Sequence, residues 1–363
     1  MRLKAILVAA TSCGLMAMVA EGHAQTPAPA APATAAAAAP DPLRAYIPTT
    51  ISPQAAALYR AYRPLLLSAG PKIATTTAEF DANYKTGEEH AITVDAPYVK
   101  AMGLTIIERQ ISGVKVLEIR PKDYQDDGTV LIHVHGGGFI YGSPRSSLRS
   151  SGAMVAATGK RVISVDYTVA PRGQFQLVTD QVVAVYKALL AEGIKPSKIG
   201  LFGESAGGNI VAGSALKLRD QGLPLPAGLI LVSPATDLTG AGDTRVTLAE
   251  VEPVLRPVGA IQPGIDAYVA PADQKNPYAS PVYGDFTKGY PPTLIQGGTK
   301  EILLSDMVRL HRAIRAAGGD SRLEIYEGMP HGFPSLMVGV GAQEGKEAMA
   351  ESAAFWRLHM AKN

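Results

Sequence analysis

Cysteine is almost missing from this chain: its 363 residues contain one, Cys13. That residue lies in an apolar stretch at the start, so the rest of the chain has no disulfides and no thiol nucleophile. Charge is also sparse, at 18% of residues, and nearly balanced, with 34 Lys and Arg against 32 Asp and Glu. A net charge of +2 gives no electrostatic footprint for nucleic acid or an anionic membrane. Long apolar runs are lacking too. The uncharged stretch from Ala5 to Ala20 is the longest candidate, and it is short for a membrane span. Glycine and proline are plentiful, 37 and 27, but follow no repeat, which excludes a collagen-like chain. What is present in quantity is apolar residue, 47%, enough to fill the core of one large domain.

The first 45 residues read as address and spacer. Arg2 and Lys4 precede the apolar stretch, and Gly22-His23-Ala24 offers small residues where a signal peptidase reads. Residues 1–24 are therefore expected to be a signal peptide cleaved after Ala24, giving an exported, periplasmic or secreted protein with no stable membrane insertion. A lipid anchor through Cys13 is disfavoured, because Ala10-Thr11-Ser12 lacks the usual leucine. Residues 25–45 mix alanine and proline with nothing large to bury and read as a flexible tether.

Residues 46–100 are assigned as an amino-terminal cap segment. Residues 52–68 form a candidate amphipathic helix with Ser52 as cap, Pro53 in the first turn and Pro64 as a break or kink. Within 71–100 the run Ala91-Ile92-Thr93-Val94 is the one local strand signal. From residue 101 onward the pattern becomes regular. Segments 104–111 and 114–121 read as a hairpin around Ser112-Gly113, and 129–136 as a third strand. Short apolar runs at 161–167, 198–203, 228–234, 291–298 and 321–328 then alternate with helical patterns near 146–158, 180–193, 206–219, 305–318 and 346–362. This alternation implies βαβ crossovers and a mostly parallel α/β sheet covered on both faces, with catalytic groups beyond the strands' carboxyl ends. Residues 237–290 interrupt the rhythm and read as a cap or lid insertion.

Gly203-Glu204-Ser205-Ala206-Gly207 is a G-x-S-x-G sequence between a strand and a helix, the context of a serine nucleophile on a sharp elbow. His135-Gly136-Gly137-Gly138 follows another strand. Its glycines let consecutive N–H groups face an oxygen, so Gly137, Gly138 and Ala206 are assigned as oxyanion donors and His135 as the residue ordering the loop. The loop is not a phosphate-binding one, since GxxxxGK[ST] is absent from it. His331, in Met329-Pro330-His331-Gly332-Phe333, is the candidate base, ahead of His133, His311 and His359. For the acid, Glu301 sits at a strand's carboxyl end, with Asp306, early in the next helix, as the fallback.

The combination of HGGGF at 135–139, GESAG at 203–207 and PHGF at 330–333 resembles the bacterial hormone-sensitive-lipase-like branch of the α/β-hydrolases, over roughly residues 103–360. The resemblance implies an eight-stranded, mostly parallel sheet with an antiparallel edge and a helical cap. It implies Ser205 as nucleophile, His331 as base, Gly137, Gly138 and Ala206 as oxyanion donors, and no cofactor or metal. The family's D-P-L stretch corresponds to Glu301-Ile302-Leu303, a replacement of Asp by Glu. The family's D-Y-R-L-A-P-E reads DYTVAPR at 166–172, so Thr168 and Arg172 are expected to alter the charge network behind the site. Glu204 stands where Asp is common. The resemblance is compatible with a homodimer.

The expected activity is that of a serine carboxylesterase acting on short- to medium-chain acyl esters through an acyl-enzyme. The partner is then a small-molecule ester, with no nucleic acid. An amidase, lactonase or formamidase would use the same triad, and a non-catalytic ligand-binding relative would form no acyl intermediate. An access path is expected from some of Tyr46, Leu65, Leu66, Leu67, Val254, Leu255, Tyr268 and Tyr278.

Overall fold

Central strands of a parallel sheet are apolar on both faces because helices cover both, and five runs of this chain meet that description. β3 (Val130–Val134), β4 (Arg161–Val165), β5 (Ile199–Glu204), β6 (Gly228–Val232) and β7 (Thr293–Gly298) are buried almost throughout. The computed structural model describes residues 43–68, 74–255 and 261–360. The expected signal peptide, Cys13 and most of the tether lie outside the described residues.

With β1 (Thr105–Ile111), β2 (Val114–Arg120) and β8 (Ser321–Tyr326), the strands form one eight-stranded sheet in the order β1-β2-β4-β3-β5-β6-β7-β8. β1 and β2 are an antiparallel hairpin pairing Thr105 with Arg120, and β2 runs antiparallel to β4. Its turn residues Ser112 and Gly113 both have positive φ, 48° and 81°, as a two-residue hairpin loop requires. All remaining pairs are parallel.

Alternate side chains of each strand enter different cores. On one face, Ile132, Leu201, Leu231 and Ile295 pack with helices α4 (Phe175–Ala191), α5 (Ala206–Asp220) and α8 (Leu304–Ala316). On the other, Leu131, Phe202, Ile230 and Leu294 pack with α3 (Leu148–Thr158) and α10 (Gln343–His359) through Met154, Val155, Phe355 and Trp356.

The amino-terminal segment differs from expectation in three places. Helix α1 (Pro53–Leu66) runs through Pro64 without ending there. The missing N–H falls in the last turn, where little helix is left to lose, and Tyr59, Tyr62 and Leu66 hold the helix against Phe333, Met337 and Ala348. The strand signal at 91–94 lies inside α2 (Thr77–Ala101), a 25-residue helix opened by a Thr76/Glu79 capping box. Capping and the length of the helical ladder outweigh the β preference of three branched residues, and Ala91 and Asp95 share the helix's buried face at i, i+4 spacing. The end of the expected tether is ordered: Leu43–Ala45 form a 3-10 turn whose Ala45 is buried beside α1.

Among its described residues the insertion carries short helices α6 (Thr244–Thr247) and α7 (Gln262–Tyr268), with 3-10 turns at Pro271–Asp273, Pro281–Tyr283 and Phe286–Lys288. Helix α9 (Phe333–Gly339) begins just beyond His331.

Trp356 fills the space left by Gly200, where an added Cβ would lie 2.6 Å from the indole. Replacing Trp356 with Ala is expected to destabilise the fold by about 3–5 kcal/mol, read as a lowered urea midpoint. A loss under about 1 kcal/mol would show that this contact does not anchor α10.

Candidate active site

Ser205 lies between β5 and α5 with φ 57° and ψ −121°, a backbone conformation strained for any residue with a Cβ. Its neighbours make the bend passable. An added Cβ at Gly203 would stand 2.6 Å from the Val134 carbonyl oxygen, and one at Gly207 only 2.0 Å from the same atom. Both outer glycines of the pentapeptide are therefore required by the close approach of β3, not by flexibility. Three bonds pin the bend: Ser205 N–H donates to Val232 O at 2.8 Å, and Asn209 Nδ2 donates to the carbonyls of Ala235 and Ala279 at 2.6 and 2.7 Å.

The imidazole of His331 meets Glu301 through Nδ1 and Oε2 at 3.0 Å, with both side chains buried. The other carboxylate oxygen of Glu301 accepts from Gly298 N–H at 2.6 Å and from Ser233 Oγ at 2.9 Å. The same serine accepts from Gly332 N–H at 3.0 Å, which ties the histidine loop to the end of β6. With the carboxylate accepting from Nδ1–H, the proton-exchanging nitrogen is Nε2. Ser205 and His331 line one cavity with Gly136, Glu204, Val254 and Leu336.

Asp306 is elsewhere. Its Oδ2 accepts from Asp237 N–H at 2.9 Å and from Arg245 at 3.3 Å, and burial pushes its carboxyl up to about 6. It joins α8 to the insertion and makes no bond to His331 among the described residues.

The triglycine loop folds back on itself: Ile140 and Tyr141 N–H donate to Gly137 O, and Gly137 has φ 113°. Its own N–H and that of Gly138 donate to no backbone carbonyl among the described residues, and Ala206 opens α5, where helical N–H groups lack partners. His135 is fully buried, stacks on Tyr167 at 4.2 Å and donates from Nδ1 to Gly136 O at 2.8 Å. Burial drives its pKa down to about 4, so it is neutral at physiological pH. From the insertion, α7 closes over this loop: Tyr268 stacks on Phe139, and Gly264 passes so near the Gly138 carbonyl that a Cβ would stand 2.3 Å from it.

Several expectations are corrected. Thr168 bonds to Gln181, and Arg172 to Asp81 on the surface of α2, so neither reaches the charge network behind Ser205. That network is Glu204 with His133 Nε2 at 3.0 Å, Ser150 Oγ at 3.2 Å and Gly136 N–H at 3.3 Å. Burial opposes the charge of Glu204, but His133 and the Gly136 N–H hold its carboxyl below the usual range. Of the expected access residues, Leu65, Leu66 and Val254 line an apolar groove. Tyr268 is fully buried, Tyr278 bonds to Asp220 away from the groove, Leu255 only packs against the main core, and Tyr46 and Leu67 are largely exposed.

Two contributors escaped the sequence reading. Ser233 has φ 47°, and the only local sign was Ser-Pro at a strand end. Glu252 is fully buried in the insertion; its Oε1 accepts from the N–H groups of Val254 and Leu255, and its Oε2 from that of Ile302 at 3.1 Å. It thus joins the cavity wall to the residue after Glu301, and nothing in the sequence distinguishes it from a surface glutamate.

A strained serine at a strand-to-helix elbow, a His–Glu pair at the carboxyl ends of neighbouring strands and a Gly-rich loop beside them define a hydrolase of the α/β class. Residues 131–335 match a family described as having the alpha/beta hydrolase fold. An esterase of Acinetobacter venetianus is 36% identical over 248 residues, 68% of this chain and 80% of that one. An acetyl-hydrolase of Streptomyces hygroscopicus is 34% identical over 243 residues, 66% of this chain and 78% of that one. A solved esterase of the bacterial hormone-sensitive lipase family superposes with a TM-score of 0.71 at 30% identity, covering 80% of this chain and 93% of that one. The chain belongs to the α/β-hydrolase family, in its bacterial hormone-sensitive-lipase-like branch.

Burial, reinforced by Glu301 and opposed by His331, pushes the Glu252 carboxyl from 4.5 up to about 7; Tyr59 and Lys300 are the other titratable groups near it. A carboxyl raised on folding stabilises fully below its unfolded value, and that stability is lost as pH rises through the folded one. Unfolding titrations should therefore show the native protein losing stability relative to Glu252→Gln between about pH 4.5 and pH 7. A difference constant over that window would refute the assignment.

Proposed function

We propose that this carboxylic ester hydrolase cleaves short- to medium-chain acyl esters through an acyl-serine intermediate. The observation that carries the reading is the 3.0 Å bond between His331 Nδ1 and Glu301, in a loop lining the same cavity as the elbow serine. His331 Nε2 takes the Ser205 proton as Oγ attacks the ester carbonyl, and Glu301 stabilises the resulting imidazolium. The oxyanion is received by the N–H groups of Gly137, Gly138 and Ala206, each such donor being worth about 3 kcal/mol in acyl transfer. Collapse breaks the carbonyl-to-alkoxy bond, and the imidazolium proton goes to the departing alcohol oxygen. Water, deprotonated by the same nitrogen, then attacks the acyl-serine; its hydroxyl enters the acid product and its proton returns Ser205 to its starting form. The acyl chain fits the apolar groove beneath α1.

Intact-mass analysis after treatment with an organophosphorus probe should show one adduct, absent in Ser205→Ala, whose kcat on p-nitrophenyl butyrate should fall by roughly 10⁴-fold or more. Glu301→Ala should lower kcat by roughly 10³–10⁴-fold with KM little changed, whereas Asp306→Ala should lower stability and leave the acylation step largely intact. Loss of acylation in Asp306→Ala alone would reassign the acid.

A further inference from the structure

Gly136 stands just ahead of the two loop glycines assigned as oxyanion donors, and the two peptide planes that meet at its Cα carry four polar groups, three of them held. In the first plane, the His135 carbonyl accepts from the Tyr167 hydroxyl at 3.1 Å, and the Gly136 N–H donates to Glu204 Oε1 at 3.3 Å. In the second, the Gly136 carbonyl accepts from His135 Nδ1 at 2.8 Å. A trans peptide sets its N–H opposite its C=O, so holding the Gly136 carbonyl fixes the direction of the Gly137 N–H, the fourth group. That N–H donates to no backbone carbonyl among the described residues. Resting on the esterase reading, we propose that Glu204 is a positioning residue for the reaction: its carboxylate holds the Gly136 N–H and so aims the Gly137 donor at the oxyanion.

Three observations lead there. Of the partners of these planes, His135 belongs to the loop itself and Tyr167 follows β4, whereas Glu204 ends β5 and is joined directly to Ser205. A bond from Glu204 therefore sets the loop against the residue that attacks. Contact agrees with the bond: a Cβ added at Gly136 would stand 3.0 Å from the Glu204 carbonyl oxygen and 3.3 Å from the Ser205 Cβ. Next, the carboxylate is itself braced. Its Oε2 meets His133 Nε2 at 3.0 Å and accepts from Ser150 Oγ at 3.2 Å, and His133 Nδ1 meets Ser164 Oγ at 2.8 Å. His133 and Ser164 are fully buried in β3 and β4, and Ser150 lies on α3, so three elements hold one oxygen and leave the other for Gly136. Finally, the group is built to accept on both sides. The carboxyl stays below its usual range in spite of burial, and an ionised carboxylate has no proton to turn toward either N–H. Reach matters as much as charge, because the side chain must span from His133 to Gly136. An aspartate would carry the same charge one methylene short.

The test measures kcat and KM on p-nitrophenyl butyrate together with the inhibition constant of a butyl trifluoromethyl ketone, using the full chain. Ser205 Oγ adds to the ketone carbon, its proton passes to His331, and the carbonyl oxygen becomes an oxyanion that the loop must receive. In Glu204→Ala, kcat is expected to fall by about 10²-fold with KM changed less than about threefold, and the inhibition constant to rise by about the same 10²-fold. Glu204→Gln keeps an oxygen for the Gly136 N–H once His133 presents Nε2 as acceptor and Nδ1–H to Ser164, so both losses should shrink to about fivefold or less. Glu204→Asp keeps the charge without the reach and should lose at least about tenfold in both. An inhibition constant unmoved in Glu204→Ala despite a lower kcat would overturn the proposal. If Glu204→Ala does not fold, the other two variants decide: a defective Gln variant beside an active Asp variant overturns it, and the reverse supports it. Organophosphorus labelling of Ser205 and ester turnover in the unsubstituted chain leave the esterase reading standing in either case. Absence of both there would overturn the two readings together.

Discussion

The bend at Ser205 is the constraint around which the rest is arranged. A residue with a side chain resists positive φ, and a conformation of this kind costs of order 1–3 kcal/mol unless its surroundings hold it. Here the surroundings are the sheet itself: β5 delivers the chain between β3 and β6, and the Val134 carbonyl presses against Gly203 and Gly207. Either position filled by alanine would force β3 away, and with it the HGGG loop that β3 carries. Ser205 and the triglycine loop thus share one steric contact, so one cannot be displaced without the other.

His331 reaches the site by a longer route and is held differently. His331 follows β8, an edge strand, and its loop is tied to the ends of β6 and β7 through Ser233 and Thr299. The amino-terminal segment adds a second hold. Tyr59 of α1 donates from its hydroxyl to Gly328 O at 2.7 Å, and the Ser52 amide and hydroxyl bind Glu344 at 2.6 and 2.7 Å. Lys300, next to Glu301, lies 4.6 Å from the Tyr59 ring and donates to the Tyr46 carbonyl. A helix that walls the apolar groove on one side therefore also clamps the histidine loop on the other. The groove wall and the histidine loop are thus held by one segment more than 260 residues away from His331 in sequence.

Much of this was legible because the chemistry depends on local rules. The glycines around Ser205, the triglycine after β3 and the Pro-His-Gly turn are imposed by close approach and turn geometry, which act over a few residues. The sheet was legible from runs such as Val130–Val134, since strands buried on both faces carry apolar residues without alternation. What sequence could not reveal is tertiary in origin. The strand signal at Ala91–Val94 lost to a helix fixed by a cap fifteen residues earlier. Pro64 was tolerated because α1 ends two residues later. Ser233 and Glu252 look ordinary along the chain, and their importance comes from what folding brings against them. The access path was partly misread because Tyr268 and Tyr278, aromatic and in the insertion, serve packing and a surface bond.

The two buried glutamates near His331 show how position divides similar groups. Glu301 takes its donors from the sheet ends and the histidine loop: Gly298, Ser233 and His331. Glu252 takes backbone N–H groups from the insertion and from Ile302, and carries a carboxyl raised by burial. Glu301 lies near enough to add its repulsion to the burial that raises the Glu252 carboxyl, so the two glutamates are electrostatically linked. On this argument the longer Glu at position 301 and the buried Glu at 252 belong together. The first reaches the imidazole from the end of β7, and the second secures the turn that aims it, drawing the wall at Val254 into the same hydrogen-bonded unit.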